Sequence, residues 1–158
     1  MSLLALLPGC GFRPLYGETG VTTGASEKLE QVAITNIADR QGQILRNLLI
    51  DRFHKSDRSS KTVYRLDAQV LASEQKLSLR QDASAERAQL VLAVPFRLIE
   101  NATGRTLFEG SSRSNIPYNV LEERYAGLAT LDNAYSRGLN EISDDITARV
   151  AMYLAKGE

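Results

Sequence analysis

The chain has 158 residues, enough for one body with a substantial core. Its 19 basic and 19 acidic side chains cancel, which argues against a nucleic-acid binder, a class that carries a basic excess. A single cysteine excludes an internal disulfide, and no apolar run approaches the ~20 residues that span a bilayer.

The first element is a leucine-rich start that runs into Leu7-Pro8-Gly9-Cys10. An apolar residue, a small residue and then the lone cysteine is the layout of a bacterial lipoprotein processing site. There the thiol is alkylated by a diacylglyceryl group and the cysteine becomes the new N-terminus, held to a membrane by acyl chains. Met1 to Leu7 carries no Lys or Arg, and the apolar stretch Leu3 to Leu7 is shorter than the ~7–15 residues of a signal core. Those departures leave a second reading open, a small apolar cysteine packed in a hydrophobic segment.

Gly11 to Ser26, rich in Gly and Thr, reads as an extended leader. Alternation between Leu29 and Ile37, through Val32 and Ile34, predicts a half-buried strand. Asp39 is placed to cap a following helix, in which Ile44, Leu45, Leu48, Leu49 and Phe53 recur at steps of three and four between Arg40 and Lys55. A polar loop over 56–60 leads to a second alternating run, Tyr64, Leu66, Ala68, Val70 and Ala72. Gln75 to Ala85 extends that strand and then loops.

Alternation returns in Ala88, Leu90, Leu92, Val94, Phe96 and Leu98, with Val91, Ala93 and Ile99 making the opposite face partly apolar. Pro95 cannot donate to a ladder, which predicts an edge position or a bulge. Asn101-Ala102-Thr103-Gly104 is a hairpin turn, and the strand after it weakens toward Pro117. The last third is helical: Leu128, Leu131, Tyr135, Leu139, Ile142, Ile146, Val150, Tyr153 and Leu154 form one stripe, beside which Gly138 marks a close approach to the sheet. The expected fold is α+β: two amphipathic helices packed on one face of a roughly four-stranded sheet, in the order β-α-β-β-β-α.

Catalytic chemistry finds no foothold in the sequence. His54 is the only histidine and sits at the polar end of a helix, so no histidine-based triad or zinc cluster is indicated. Asp144-Asp145 and Glu122-Glu123 are neighbours on helical segments, where adjacent side chains diverge. The glycines near Cys10 and from Gly20 to Gly24 lack the strand-to-helix setting of a phosphate loop. The chain reads as a non-enzyme that needs no cofactor.

Behind the cysteine stands Cys10-Gly11-Phe12-Arg13-Pro14-Leu15-Tyr16-Gly17. This segment resembles the start of mature LptE proteins, lipopolysaccharide-assembly lipoproteins of Gram-negative outer membranes, in a form similar to their alphaproteobacterial branch. The resemblance implies two helices on a four-stranded sheet. It also implies a protein that plugs the lumen of the LptD β-barrel and assists delivery of lipopolysaccharide to the outer leaflet. On that reading residues 1–9 are a shortened signal peptide, 10–28 a leader lipidated at Cys10, and 29–158 a single domain. Gly11 in place of Asp resembles outer-membrane sorting. Lipopolysaccharide binding in the family uses basic residues, for which Arg80, Arg87, Arg105 and Arg113 are the candidates, since a guanidinium suits the phosphates of lipid A. Phe12, Leu15 and Tyr16 are candidates for barrel contact or for pinning the leader onto the core, ahead of contact with the membrane interface. A stand-alone lipid carrier with an internal apolar cavity, or an accessory lipoprotein of a transporter, are the alternatives. If Val91, Ala93 and Ile99 lie on an exposed face among polar neighbours, the barrel partner is favoured.

Overall fold

The computed structural model of the chain describes residues 20–54, 61–78, 86–120 and 124–156. In chain order these form α1 (Gly20–Glu30), β1 (Val32–Ile34), α2 (Asp39–Phe53), β2 (Tyr64–Ala68), β3 (Leu71–Ser78), β4 (Glu86–Glu100), β5 (Thr106–Val120) and α3 (Arg124–Lys156). The architecture is α+β, as the alternation and the two amphipathic stripes predict, with one helix and one assigned strand more than expected.

The additional helix α1 corrects the leader, which is helical from Gly20 and not extended to Ser26. Local sequence gives α1 little support, for its Gly and Thr are weak helix formers. It is held by tertiary contacts: Leu29 is buried in the core, and Lys28 Nζ donates to the Leu154 carbonyl at 3.2 Å, near the C-terminal end of α3. The strand expected over Leu29 to Ile37 shortens to three residues because Leu29 and Glu30 finish this helix.

The additional strand comes from Pro95. β2 and β3 both pair antiparallel with β4, on the same side, with Ala68 opposite Phe96 and Leu71 opposite Ala93. Gln69 and Val70 therefore span the same two positions as Val94 and Pro95, and the register runs through unchanged. Gln69 N–H donates to the Pro95 carbonyl at 3.2 Å, but Pro95 has no N–H to return the bond, so the ladder breaks there. The single strand read through Tyr64 to Ala72 is thus physically one lane. The sheet has four lanes in the order β1, β2 with β3, β4 and β5. Pro95 accordingly sits in a central strand and not at an edge. Pro117, by contrast, sits within edge strand β5, which continues to Val120.

Every second residue of β4 points to the helices. Leu90, Leu92, Val94 and Leu98 are fully buried there, with Phe96 beside them. α2 meets this face with Leu45, Leu49 and Phe53, and α3 with Ala134, Leu139, Ile142, Ile146 and Val150, all in one apolar cluster. Burying each large side chain of that set is worth about 1.5–3 kcal/mol relative to leaving it in water. Gly138 lies where expected, since a Cβ there would come 2.7 Å from Leu92 Cδ1 and 3.2 Å from Ile116 Cγ1. Leu128, placed on the stripe by spacing, is exposed instead. Asp39 is the first residue of α2 and not its cap: it takes φ +69°, and Ala38 occupies the cap position without a side-chain bond. The Asn101–Gly104 turn forms as predicted, with Gly104 at φ +69° and its N–H on the Glu100 carbonyl at 2.8 Å.

Candidate interaction surface

All three helices join one apolar cluster on a single side of the sheet, so the opposite face is covered by no described element. The residues there alternate with the buried set. Across the lanes they run Asp67, Arg97, Glu109; Gln69, Pro95, Ser111; Leu71, Ala93, Arg113; and Ser73, Val91, Asn115. Val91 and Ile99 are shielded by their flanking strands, Ala93 is half-buried, and Arg97, Arg113, Ser111 and Asn115 are exposed. This is a mostly polar surface with a narrow apolar strip along its centre.

Charges on this face are arranged in opposition. Arg97 stands between Asp67 and Glu109 of the two neighbouring lanes, and Arg65 Nε lies 3.9 Å from Asp67 Oδ1. A groove of about 600 Å³ follows this row and the adjoining backbone at Gln69, Pro95 and Gly110. Such a row presents both signs to a partner and gives no net attraction for anions.

The arginine candidates are not brought together. Arg113 is exposed on β5, at mid-face. Arg105 is exposed in the hairpin at one end of the sheet, and Arg87 is exposed near the opposite end of β4. Those two ends are about 40 Å apart at ~3.4 Å per residue. Arg80 lies outside the described residues, as do Cys10, Phe12, Leu15 and Tyr16.

At the Arg87 end the fold supplies a partner that spacing did not single out. Arg87 shares a groove of about 530 Å³ with Arg137 of α3 and with Asn119, Thr130 and Asn133. Arg137 Nη2 donates to the Pro117 carbonyl at 3.3 Å, which ties the guanidinium to the sheet edge. In the sequence Arg137 is only one of several polar residues off the α3 stripe. Its role depends on where α3 crosses β5, which periodicity does not reveal.

Beside that groove Tyr118 donates to Glu74 Oε2 at 2.6 Å. Burial and this carboxylate acceptor push the Tyr118 pKa up to about 12. Burial, together with the Glu74 charge, also raises Tyr135. Both phenols therefore remain protonated donors at neutral pH, which suits binding and positioning and not nucleophilic attack. Among the described residues no cluster of His, Cys, Asp and Glu is placed to hold a metal, and no helix is long and apolar enough to cross a membrane.

No curated protein sequence matches the chain. Among solved structures, a lipoprotein from Caulobacter crescentus CB15 superimposes with a TM-score of 0.69 at 23% identity, covering 85% of this chain and 98% of its own. Lipoprotein B from Nitrosomonas europaea gives 0.59 at 18% identity over 80% and 84% of the two chains. A minor lipoprotein from Acinetobacter baumannii gives 0.54 at 13% identity over 77% and 91%. These likenesses establish the fold. The model of the LptE family, described as lipopolysaccharide-assembly, matches residues 29–154, which include α2, all five strands and α3 as far as Leu154, and the chain belongs to this non-enzymatic family.

Proposed function

We propose that the chain is an outer-membrane lipoprotein that binds inside the LptD β-barrel and assists assembly of lipopolysaccharide into the outer leaflet. The observation that carries this reading is the asymmetric sheet, with one face closed by α2 and α3 and the other covered by no described element and mostly polar, with Ala93 half-buried at its centre. A plug in a water-lined lumen needs a rigid body with a polar surface, and zero net charge lets it sit there without long-range repulsion. Cys10 supplies the anchor: three acyl chains at ~0.8 kcal/mol per buried methylene make attachment effectively permanent. The lipoprotein descriptions of the solved relatives agree with it. The apolar stripes of α2 and α3 are taken up by the sheet, which favours this reading over a carrier with an acyl chamber.

For lipopolysaccharide, Arg87 has the best placement of the four candidate arginines. Arg137 lines the same groove, with amide and hydroxyl groups from Asn119, Asn133 and Thr130, and two guanidinium groups converging there would match a phosphate. Phe12, Leu15 and Tyr16 lie between the anchor and the body and remain the proposed barrel contacts in the leader.

The test is to express the chain with a complete signal peptide and an affinity tag in a Gram-negative host of its own type. The envelope is then extracted in mild detergent. Stoichiometric recovery of one large outer-membrane barrel through a high-salt wash, with lipopolysaccharide in the same fraction, is the expected result. Recovery of the chain alone, or with an inner-membrane transporter, overturns the reading.

A further inference from the structure

Among the described residues, two side-chain polar atoms are shut off from solvent without a hydrogen bond: Arg46 Nε and His54 Nδ1. Both belong to α2. His54 is its C-cap residue, with its N–H on the Ile50 carbonyl at 2.9 Å, so Arg46, Ile50 and His54 follow one another at four-residue steps down one flank. The line is about 12 Å long at ~1.5 Å per residue. Ile50 is half-buried at its middle, and Gln43 and Asn47 are exposed on its solvent side.

This flank is neither the core face of α2 nor its side toward α3. The core face is Leu45, Leu49 and Phe53. Arg52, which binds Asp144 and Asn140 of α3, lies about 120° round the helix from Arg46. Four arginines among the described residues are half-buried: Arg46, Arg52, Arg65 and Arg149. The last three each have a carboxylate, from Asp144, Asp67 and Asp145. Arg46 alone has no ion pair with a described carboxylate, and its Nε meets no acceptor. A buried donor left unpaired costs the free chain stability, so a molecule that supplies the acceptor is favoured on binding.

We propose that this flank of α2 docks on an acidic segment of the barrel wall, whose Asp or Glu carboxylate accepts side-on from Arg46 Nε and one Nη. An apolar wall residue covers Ile50, and a polar one pairs with His54 Nδ1. Along a wall strand 12 Å is about four residues, and residues four apart share a face. The assignment rests on the plug reading above. It names a carboxylate and not a lipopolysaccharide phosphate because Arg46 is a single guanidinium beside an isoleucine. Arg87 and Arg137, by contrast, line one groove together at β5 and the first half of α3.

The experiment uses the tagged full chain with a complete signal peptide, in the same host and detergent extraction as above. Benzoylphenylalanine at Asn47 is photo-cross-linked in the envelope, and the adduct is mapped by mass spectrometry. Arg46→Met and Arg46→Glu are measured beside it for barrel recovery, and Arg46→Met also for urea unfolding of the isolated chain. Arg46→Met keeps an unbranched stem and removes the unpaired donor, so the urea midpoint is expected to be unchanged or higher. Barrel recovery is expected to fall at least about fivefold with Arg46→Met and further with Arg46→Glu. A purely structural arginine would instead lower midpoint and recovery together, and that result overturns the proposal. The Asn47 adduct is expected on a barrel peptide that contains Asp or Glu. An adduct on lipopolysaccharide or on no barrel peptide overturns the proposal, as does folded Arg46→Met that recovers the barrel like wild type. In those cases wild-type recovery of the barrel leaves the plug reading standing. A wild-type chain that recovers no barrel sinks both. If Arg46→Met does not fold, the Asn47 adduct decides the matter.

Discussion

Gly42 and Tyr118 show how far a single side chain is constrained by what stands against it. A Cβ at Gly42 would lie 2.7 Å from Ile37 Cγ2 and 2.9 Å from the Ile37 backbone carbon, and the backbone atom cannot step aside. Gly→Ala within a helix ordinarily helps by up to ~1 kcal/mol. Here Gly42→Ala is expected to cost about 1–3 kcal/mol in urea unfolding, because overpacking outweighs propensity. Tyr118 carries a pH signature. Its folded pKa of about 12 lies above the ordinary 10.0, so its contribution is complete below pH 10 and is lost as pH climbs toward 12. In that window the unfolded phenol ionises while the folded one does not. Tyr118→Phe abolishes this dependence, so stability curves of wild type and variant are expected to converge from pH 10 to 12. Parallel curves would show that the burial and the Glu74 bond that together raise this pKa are absent in solution.

Among the elements, α2 and α3 are joined by more than their apolar stripes. Arg52 Nε binds Asp144 at 2.6 Å, its Nη2 binds Asn140 at 3.1 Å, and its Nη1 returns to the Leu48 carbonyl at 3.2 Å. Asp144 is largely exposed, so water and salt screen the pair. A double-mutant cycle between Arg52→Ala and Asp144→Ala is expected to give a coupling of about 0.2–1 kcal/mol that shrinks toward zero near 1 M salt. The stripes themselves were legible: Leu45, Leu49, Phe53, Leu139, Ile142 and Ile146 are buried as their spacing demands. Element boundaries were less so, and for physical reasons. α1 exists because Leu29 and Lys28 find α3, a contact across more than a hundred residues that no local window contains. The β2–β3 break is chemically visible as Pro95, but whether a proline ends a strand or interrupts a central ladder depends on which neighbour its nitrogen faces.

For the molecule as a whole, the decisive feature is a sheet closed on one face by the helices and covered on the other by no described element. Ala93 lies at the centre of the open face, opposite Leu71 on one side and Arg113 on the other, away from the apolar cluster. Ala93→Glu is expected to change folding stability by no more than about 0.5 kcal/mol, as for a surface substitution. The same change is expected to reduce recovery of the barrel with the tagged chain several-fold, since it buries a charge in the proposed contact. Equal recovery with the variant would move the contact to another surface. Arg87→Ala provides the complementary measurement: barrel recovery unchanged, with less lipopolysaccharide in the same fraction. Of the two arginines in the proposed ligand site, the sequence singles out Arg87 as a candidate and leaves Arg137 among the polar residues off the α3 stripe. Arg105 separates from Arg87 because the hairpin sends it to the far end of the sheet.

What the sequence determined by itself is whatever is encoded within one element: the period of each strand and helix, the Asn101–Gly104 turn, the close approach at Gly138 and the segment around Cys10 that resembles LptE. These depend on backbone geometry and on residues a few positions apart. Tertiary structure alone decided that β2 and β3 share a lane, that Pro95 lies in a central strand, that α1 docks on α3, and that α3 side chains reach the outward carbonyls of β5. Each of these turns on which backbone and side-chain groups meet across long stretches of chain, and such meetings are settled by the packing of the whole core.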